Sequence, residues 1–164
     1  SNTGVQTTDV SGVGTARHIL AATQYGGDKG IFGYGSTGSI TAVTNLISNT
    51  GVAATDVTGV GTARSELAAC EYGDDKGIFG YGSGTASMTN LVSNAGVVAT
   101  DTTGVGTGRS SLAACEYGDD KGIFGYGHTS YLSMTNLVSN AGVIATDTTG
   151  VGTGRQGLAA CSYN

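Results

Sequence analysis

Short apolar bursts, such as Leu67-Ala68-Ala69, Ile78-Phe79 and Leu91-Val92, alternate along this chain with clusters of Gly, Asp, Asn, Ser and Thr. No window keeps apolar residues at three- and four-residue spacing over a helical length without glycine intervening, so amphipathic helices are excluded. Val, Thr, Ile, Phe and Tyr dominate the bursts, and such residues suit pleated, half-buried strands. The pattern predicts four strands per unit, exemplified by 65–72, 77–81, 88–92 and 97–102. Turns fall between them at Gly73-Asp74-Asp75 and Ser93-Asn94-Ala95-Gly96. The predicted class is all-β, with antiparallel four-stranded units.

These units repeat. The segment Ser1-Asn2-Thr3-Gly4-Val5 returns at Ser48, Ser93 and Ser139, at spacings of 47, 45 and 46 residues by subtraction. Each copy continues through Thr-Asp, Gly-Val-Gly-Thr, an arginine, then Leu-Ala-Ala and a tyrosine. A second block, Asp-Lys-Gly-Ile-Phe-Gly-Tyr-Gly, starts at Asp28, Asp75 and Asp120. The chain reads as one repeat domain, 1–164: a partial module 1–16, modules at about 17–63, 64–108 and 109–154, and a partial module 155–164. A period in the middle forties matches a four-stranded propeller blade in length.

Composition narrows the class. The 164 residues include 30 glycines, no proline and no tryptophan. Glycine at fixed positions within a β pattern points to turns and bulges, not to collagen or a linker. No apolar run approaches the roughly 18 residues of a membrane helix. The net charge of −5 argues against a nucleic-acid partner. All seven basic residues sit in the repeat frame: Lys29, Lys76 and Lys121, and Arg17, Arg64, Arg109 and Arg155. Starting at Ser1 instead of Met, the sequence reads as processed or cut from something longer.

The order Thr-[Ala/Gly]-Arg, Leu-Ala-Ala, Tyr-Gly, an acidic turn, then Lys-Gly-Ile-Phe-Gly-Tyr-Gly resembles the Kelch repeat. The third and fourth strands, Thr89-Asn90-Leu91 and Val97-Val98-Ala99, continue the likeness across essentially the whole chain. Gly80-Tyr81-Gly82 stands where that family has a double glycine, and its fourth-strand tryptophan is missing. Near-identical arrays of this kind occur in phage-encoded and environmental bacterial proteins. The resemblance implies antiparallel Kelch-like β-propeller blades. Since propellers close with about four to eight blades, one chain forms an incomplete ring. Several copies are then expected to assemble, with an extracellular or virion-surface setting favoured.

The repeated charges read as scaffold. Asp9 and Arg17, Asp56 and Arg64, Asp101 and Arg109, and Asp147 and Arg155 bracket each Gly-Val-Gly-Thr connection. A guanidinium can clamp such a carboxylate and tie the connection down. Catalysis wants one asymmetric constellation, and these pairs recur in every module. Cys70, Cys115 and Cys161 lie a full module apart, so zinc spacing is absent, and they read as small buried thiols. The acidic turns carry too few oxygens for calcium. No enzyme activity, cofactor or metal is expected.

Positions that break the repeat are the candidates for binding. They are His18, Ile19, Ser65, Glu66, Ser110 and Gln156 after the arginines, and Ser36, Thr37, Ser83, Thr85, His128, Ser130 and Tyr131 between the second and third strands. Connections of an up-and-down blade alternate between two faces, which places both groups on one face. Loops on a rigid scaffold commonly carry binding, and His128 with Tyr131 suits stacking on a sugar or peptide. The expected function is a non-enzymatic propeller scaffold for a carbohydrate or protein, assembled from several copies. The alternative is a purely structural repeat, natural or designed, without a ligand of its own.

Overall fold

Each Lys-Gly-Ile-Phe-Gly segment forms the central strand of a three-stranded antiparallel sheet in the computed structural model, which describes residues 11–162. The first sheet holds β1 (Ala21–Tyr25), β2 (Lys29–Gly33) and β3 (Thr44–Ile47). The second holds β4 (Ala68–Tyr72), β5 (Lys76–Gly80) and β6 (Thr89–Val92). The third holds β7 (Ala113–Tyr117), β8 (Lys121–Gly125) and β9 (Thr135–Val138). Register is the same in all three: Tyr25↔Lys29, Tyr72↔Lys76 and Tyr117↔Lys121 close the first hairpins. In the second hairpin turn, Gly73 and Asp74 take positive φ of 61° and 67°. Glycine and aspartate are among the residues that tolerate that conformation.

Sheets pack in chain order, β1 against β4 and β4 against β7. The apolar clusters therefore lie between sheets. One gathers Tyr25, Ile31, Tyr34, Leu67, Phe79 and Val92. The next gathers Tyr72, Ile78, Tyr81, Leu112, Phe124 and Val138 with Ala68 and Cys70. The middle sheet is covered on both faces, so Ile78 and Phe79, which point to opposite sides of β5, are both fully buried. In β2 the equivalent pair is split: Ile31 is buried, and Phe32 on the other face is 44% exposed.

The four-stranded blade is not formed. The fourth segment of each module touches the third strand at two isolated pairs only: Ile47↔Ala53 and Thr44↔Val57, Val92↔Val98 and Thr89↔Thr102, Val138↔Ile144 and Thr135↔Thr148. Between its two pairs that segment holds one residue more than the strand it faces, a bulge that interrupts the ladder. The third-strand asparagine takes over the interrupted bonding. Asn90 Nδ2 donates to Ala99 O at 3.0 Å, and Asn45 and Asn136 do the same to Ala54 and Ala145. A side chain thus satisfies a carbonyl that a regular ladder would give to a backbone N–H.

Three open three-stranded sheets, none closed into a ring, overturn the Kelch-like propeller expected from the repeat, and with it the propeller-based recognition scaffold. The period alone was ambiguous, because it counts residues per unit and not ladder bonds. Residues 158–162, which repeat the Leu-Ala-Ala-Cys of β4 and β7, form no strand.

Candidate functional site

The molecule has joints that recur from sheet to sheet and a rim where the sequence varies. Arg64 makes the central joint and is 1% exposed. Its Nη2 donates to Asn90 Oδ1 at 2.6 Å, Nε to Tyr81 O at 2.7 Å and Nη1 to Thr62 O at 3.1 Å. Its guanidinium carbon stands 4.4 Å from the centre of the Tyr34 ring in the preceding sheet. Arg109 over Tyr81 and Arg155 over Tyr126 repeat that stacking at 4.3 and 4.4 Å. The tyrosine ring in turn meets the next sheet's phenylalanine, with Tyr34–Phe79 and Tyr81–Phe124 centroids both at 5.2 Å. Glycine is required beneath: a Cβ on Gly33 or Gly80 would stand 2.7 Å from the phenyl tip.

The aspartates do not clamp the arginines that follow them. Arg17 approaches Asp56 at 3.8 Å and Arg64 approaches Asp101 at 4.0 Å, so each faces the aspartate at the far end of its own module. No Asp56–Arg64 or Asp101–Arg109 ion pair forms among the described residues, and Asp9 lies outside them. Each aspartate instead clasps a threonine. Asp101 accepts from Thr62 N at 3.1 and 3.0 Å, from Thr62 Oγ1 at 2.7 Å and from Asn90 Nδ2 at 2.9 Å. Asp147 holds Thr107 and Asn136 in the same way. Burial pushes the Asp101 carboxyl up, but the Thr62 and Asn90 bonds outweigh it and hold the pKa below its ordinary 3.8. The threonine and asparagine roles were missed in the sequence. The Gly-Val-Gly-Thr and Thr-Asn-Leu that recur in the modules were the available signals, the first for the threonine and the second for the asparagine.

At the rim, the structure brings the two variable segments together. His18 and Ser36 exchange backbone bonds at 3.0 Å, and Ser110 and His128 do so at 3.1 and 2.7 Å. Ser83 N donates to Ser65 O at 2.7 Å, and Ser65 N donates to Ser83 Oγ at 3.1 Å. A rail of backbone bonds then runs across the modules: Glu66 N to Ile19 O, Ser111 N to Glu66 O, and Gly157 N to Ser111 O. Ile19, Glu66 and Ser111 carry it at φ of 48°, 55° and 51°, which is strained backbone for non-glycine residues.

Not every candidate reaches solvent. Ser36 and Ser65 are buried, and their backbones take part in the bonds that join the two segments. Glu66, Ser83 and Ser110 are half-buried. His18, Ile19, Thr37, Thr85, His128, Ser130, Tyr131 and Gln156 are exposed. His128 and Tyr131 meet edge to face at 5.6 Å, and Tyr131 remains 60% exposed.

A separate open furrow of about 230 Å³ runs where β1, β4, β7 and the tail come together, lined by Thr23, Cys70, Cys115 and Cys161 with Glu71 and Glu116. Burial pushes the Cys70 thiol up to about 12, so it is no nucleophile at neutral pH. The sequence reading of a small buried thiol describes Cys70; Cys115 is half-buried and Cys161 exposed. Burial and the Glu116 charge raise Glu71, whose carboxylate accepts from Gln24 Nε2 at 2.9 Å. Among the described residues, no group of three or more His, Cys, Asp or Glu could hold a metal ion. The chain matches no protein-family model and no curated protein sequence.

Proposed function

We propose that the chain is a non-catalytic structural repeat, a rigid spacer whose three sheets are locked in series by one recurring joint. The observation that carries this reading is the identity of the joint at both junctions: arginine over tyrosine, tyrosine against phenylalanine, and glycine beneath the phenyl. The two complete joints use Arg64 and Arg109, and Arg155 stacks on Tyr126 in the same way, while sequence variation is left to the rim. In stacked repeats, stability is roughly a sum of module and neighbour terms, and strong neighbour terms make the array melt as one body.

Thermal unfolding followed by calorimetry tests it. The expected result is a single transition in the wild-type chain, and a single, lower transition when Arg64→Met weakens the first junction. Two separate transitions in the wild type would mean that the junctions do not hold the modules as one body, and the spacer reading would fail.

A further inference from the structure

Among the described residues the joint has three sockets, and two are filled. Phe79 fills the one at Gly33 and Tyr34, and Phe124 fills the one at Gly80 and Tyr81. At Gly125 and Tyr126 no phenyl enters among the described residues. A Cβ on Gly125 would meet only Thr135 Cγ2, at 3.4 Å. The space is a cavity of about 280 Å³ lined by Ile123, Gly125, Tyr126, Thr135, Arg155 and Leu158, among others. Arg155 already stacks on Tyr126 there, as Arg64 does on Tyr34. The socket is therefore built, and no phenyl of the described residues fills it.

The opposite end of the chain carries the missing part. Phe32 occupies the position of Phe79 and Phe124 in the Lys-Gly-Ile-Phe-Gly strand, yet it is exposed where they are fully buried. Two more mismatches line up with it. Gly26 N donates to Asp75 O at 2.7 Å and Gly73 N to Asp120 O at 2.8 Å, whereas Gly118 N has no such partner among the described residues. Gly77 packs on Thr23 and Gly122 on Cys70, whereas Gly30, the equivalent position in β2, meets no side chain of another sheet among the described residues. Each gap on the third sheet's outer face has its complement on the first sheet's outer face.

We infer that a second copy of this chain docks head to tail, with Phe32 of one copy seated in the Gly125–Tyr126 socket of the other. This rests on the proposed spacer function, which it extends beyond one chain. Asp28 O then accepts from Gly118 N, and Gly30 settles on Cys115. The contact continues the sheet-to-sheet interface already present twice within the chain, which is why the occupant is another copy and not an unrelated apolar ligand. Residues 158–162 lie where the incoming β1 must pack against β7. They hold no strand pairing and are exposed beyond Leu158, so they yield to a strand that brings its own ladder to β2. The two faces differ, so the contact is heterologous and leaves a socket and a phenyl free for a further copy.

Light scattering after size exclusion, over a concentration series, tests the inference with two variants of the full chain. Phe32→Ala removes an exposed side chain, and Gly125→Leu fills the socket at a position whose φ is not positive. The wild type should rise in mass with concentration beyond a single chain. Each variant alone should stay at the mass of one chain. An equal mixture of the two should stop at a dimer, because only one functional socket and one functional phenyl can meet. A wild type that remains one chain at every concentration overturns the inference, as does either variant associating like the wild type or a mixture that forms no dimer. Calorimetry on the same samples separates the two readings. One transition with a constant single-chain mass retains the spacer and removes the docking, and two transitions with a rising mass do the reverse.

Discussion

The second and third sheets have nearly the same sequence and quite different surroundings. Tyr81 is fully buried between Arg109 and Phe124, whereas its equivalent Tyr126 has the arginine but, among the described residues, no phenyl, and is only half-buried. Asn90 uses its Oδ1 for Arg64 and its Nδ2 for Ala99 and Asp101. Asn136 keeps the two Nδ2 bonds, but its buried Oδ1 has no partner. Arg109 keeps the bonds to the Tyr126 and Thr107 carbonyls that Arg64 makes to Tyr81 and Thr62, but its Nη2 turns to the Phe124 carbonyl at 3.5 Å. A repeat sequence thus specifies a module, while the neighbour specifies what each of its residues is worth.

The largest expected effect separates the filled socket from the open end. Phe79→Ala should cost about 3–5 kcal/mol, the usual range for emptying a packed core site. Phe32→Ala, the same change at the exposed equivalent, should fall within roughly ±0.5 kcal/mol in a chain kept dilute. Urea unfolding of both variants measures the contrast, and equal losses would break it.

A smaller effect separates the asparagines. Asn90→Ala strands the buried Arg64 Nη2 group, at about 1–3 kcal/mol for a buried group left without a partner. Asn136→Ala strands no arginine and should cost visibly less by the same denaturation measurement. Equal costs would show that the Arg64–Asn90 bond adds nothing to the junction.

The smallest effect should be equal in the two sheets. Asp101 and Asp147 are both held below their ordinary pKa by hydrogen bonds from a threonine and an asparagine, which outweigh burial. A carboxyl whose folded pKa is depressed contributes stability that is present above its unfolded value, near 3.8, and is lost as pH falls through the folded value. Melting temperature should therefore drop in the acid range below that value, and Asp101→Asn and Asp147→Asn should each flatten the drop. Flattening by only one of them would show that the matching clasps are not energetically alike.

Much of the local architecture was legible. Period-two bursts bounded by glycine and aspartate announce strands and hairpins. The first three of the four expected strands stand close to where 65–72, 77–81 and 88–92 placed them. The fourth was not legible, because Val97 to Thr102 has strand composition and fails as a strand for a reason outside itself. Asn90 captures its carbonyl and its aspartate, and the added residue throws the ladder out of step. At the candidate site, exposed positions such as Ile19 and Tyr131 were picked out by variability, as were Ser36 and Ser65. Variability does not distinguish a side chain that faces solvent from one turned into the frame.

The all-β class, the repeat and its turns are written in the local order of residues. These follow from alternation and from backbone conformations that act within a few residues. Tertiary structure decided that each sheet stops at three strands, that Arg64 answers to Asn90 and Asp101 and not to Asp56, and that identical phenylalanines are core at 79 and 124 but surface at 32. Each of those outcomes depends on side chains converging from distant segments or separate modules. Burial is a property of the pair of surfaces that meet, and no single stretch of sequence contains both.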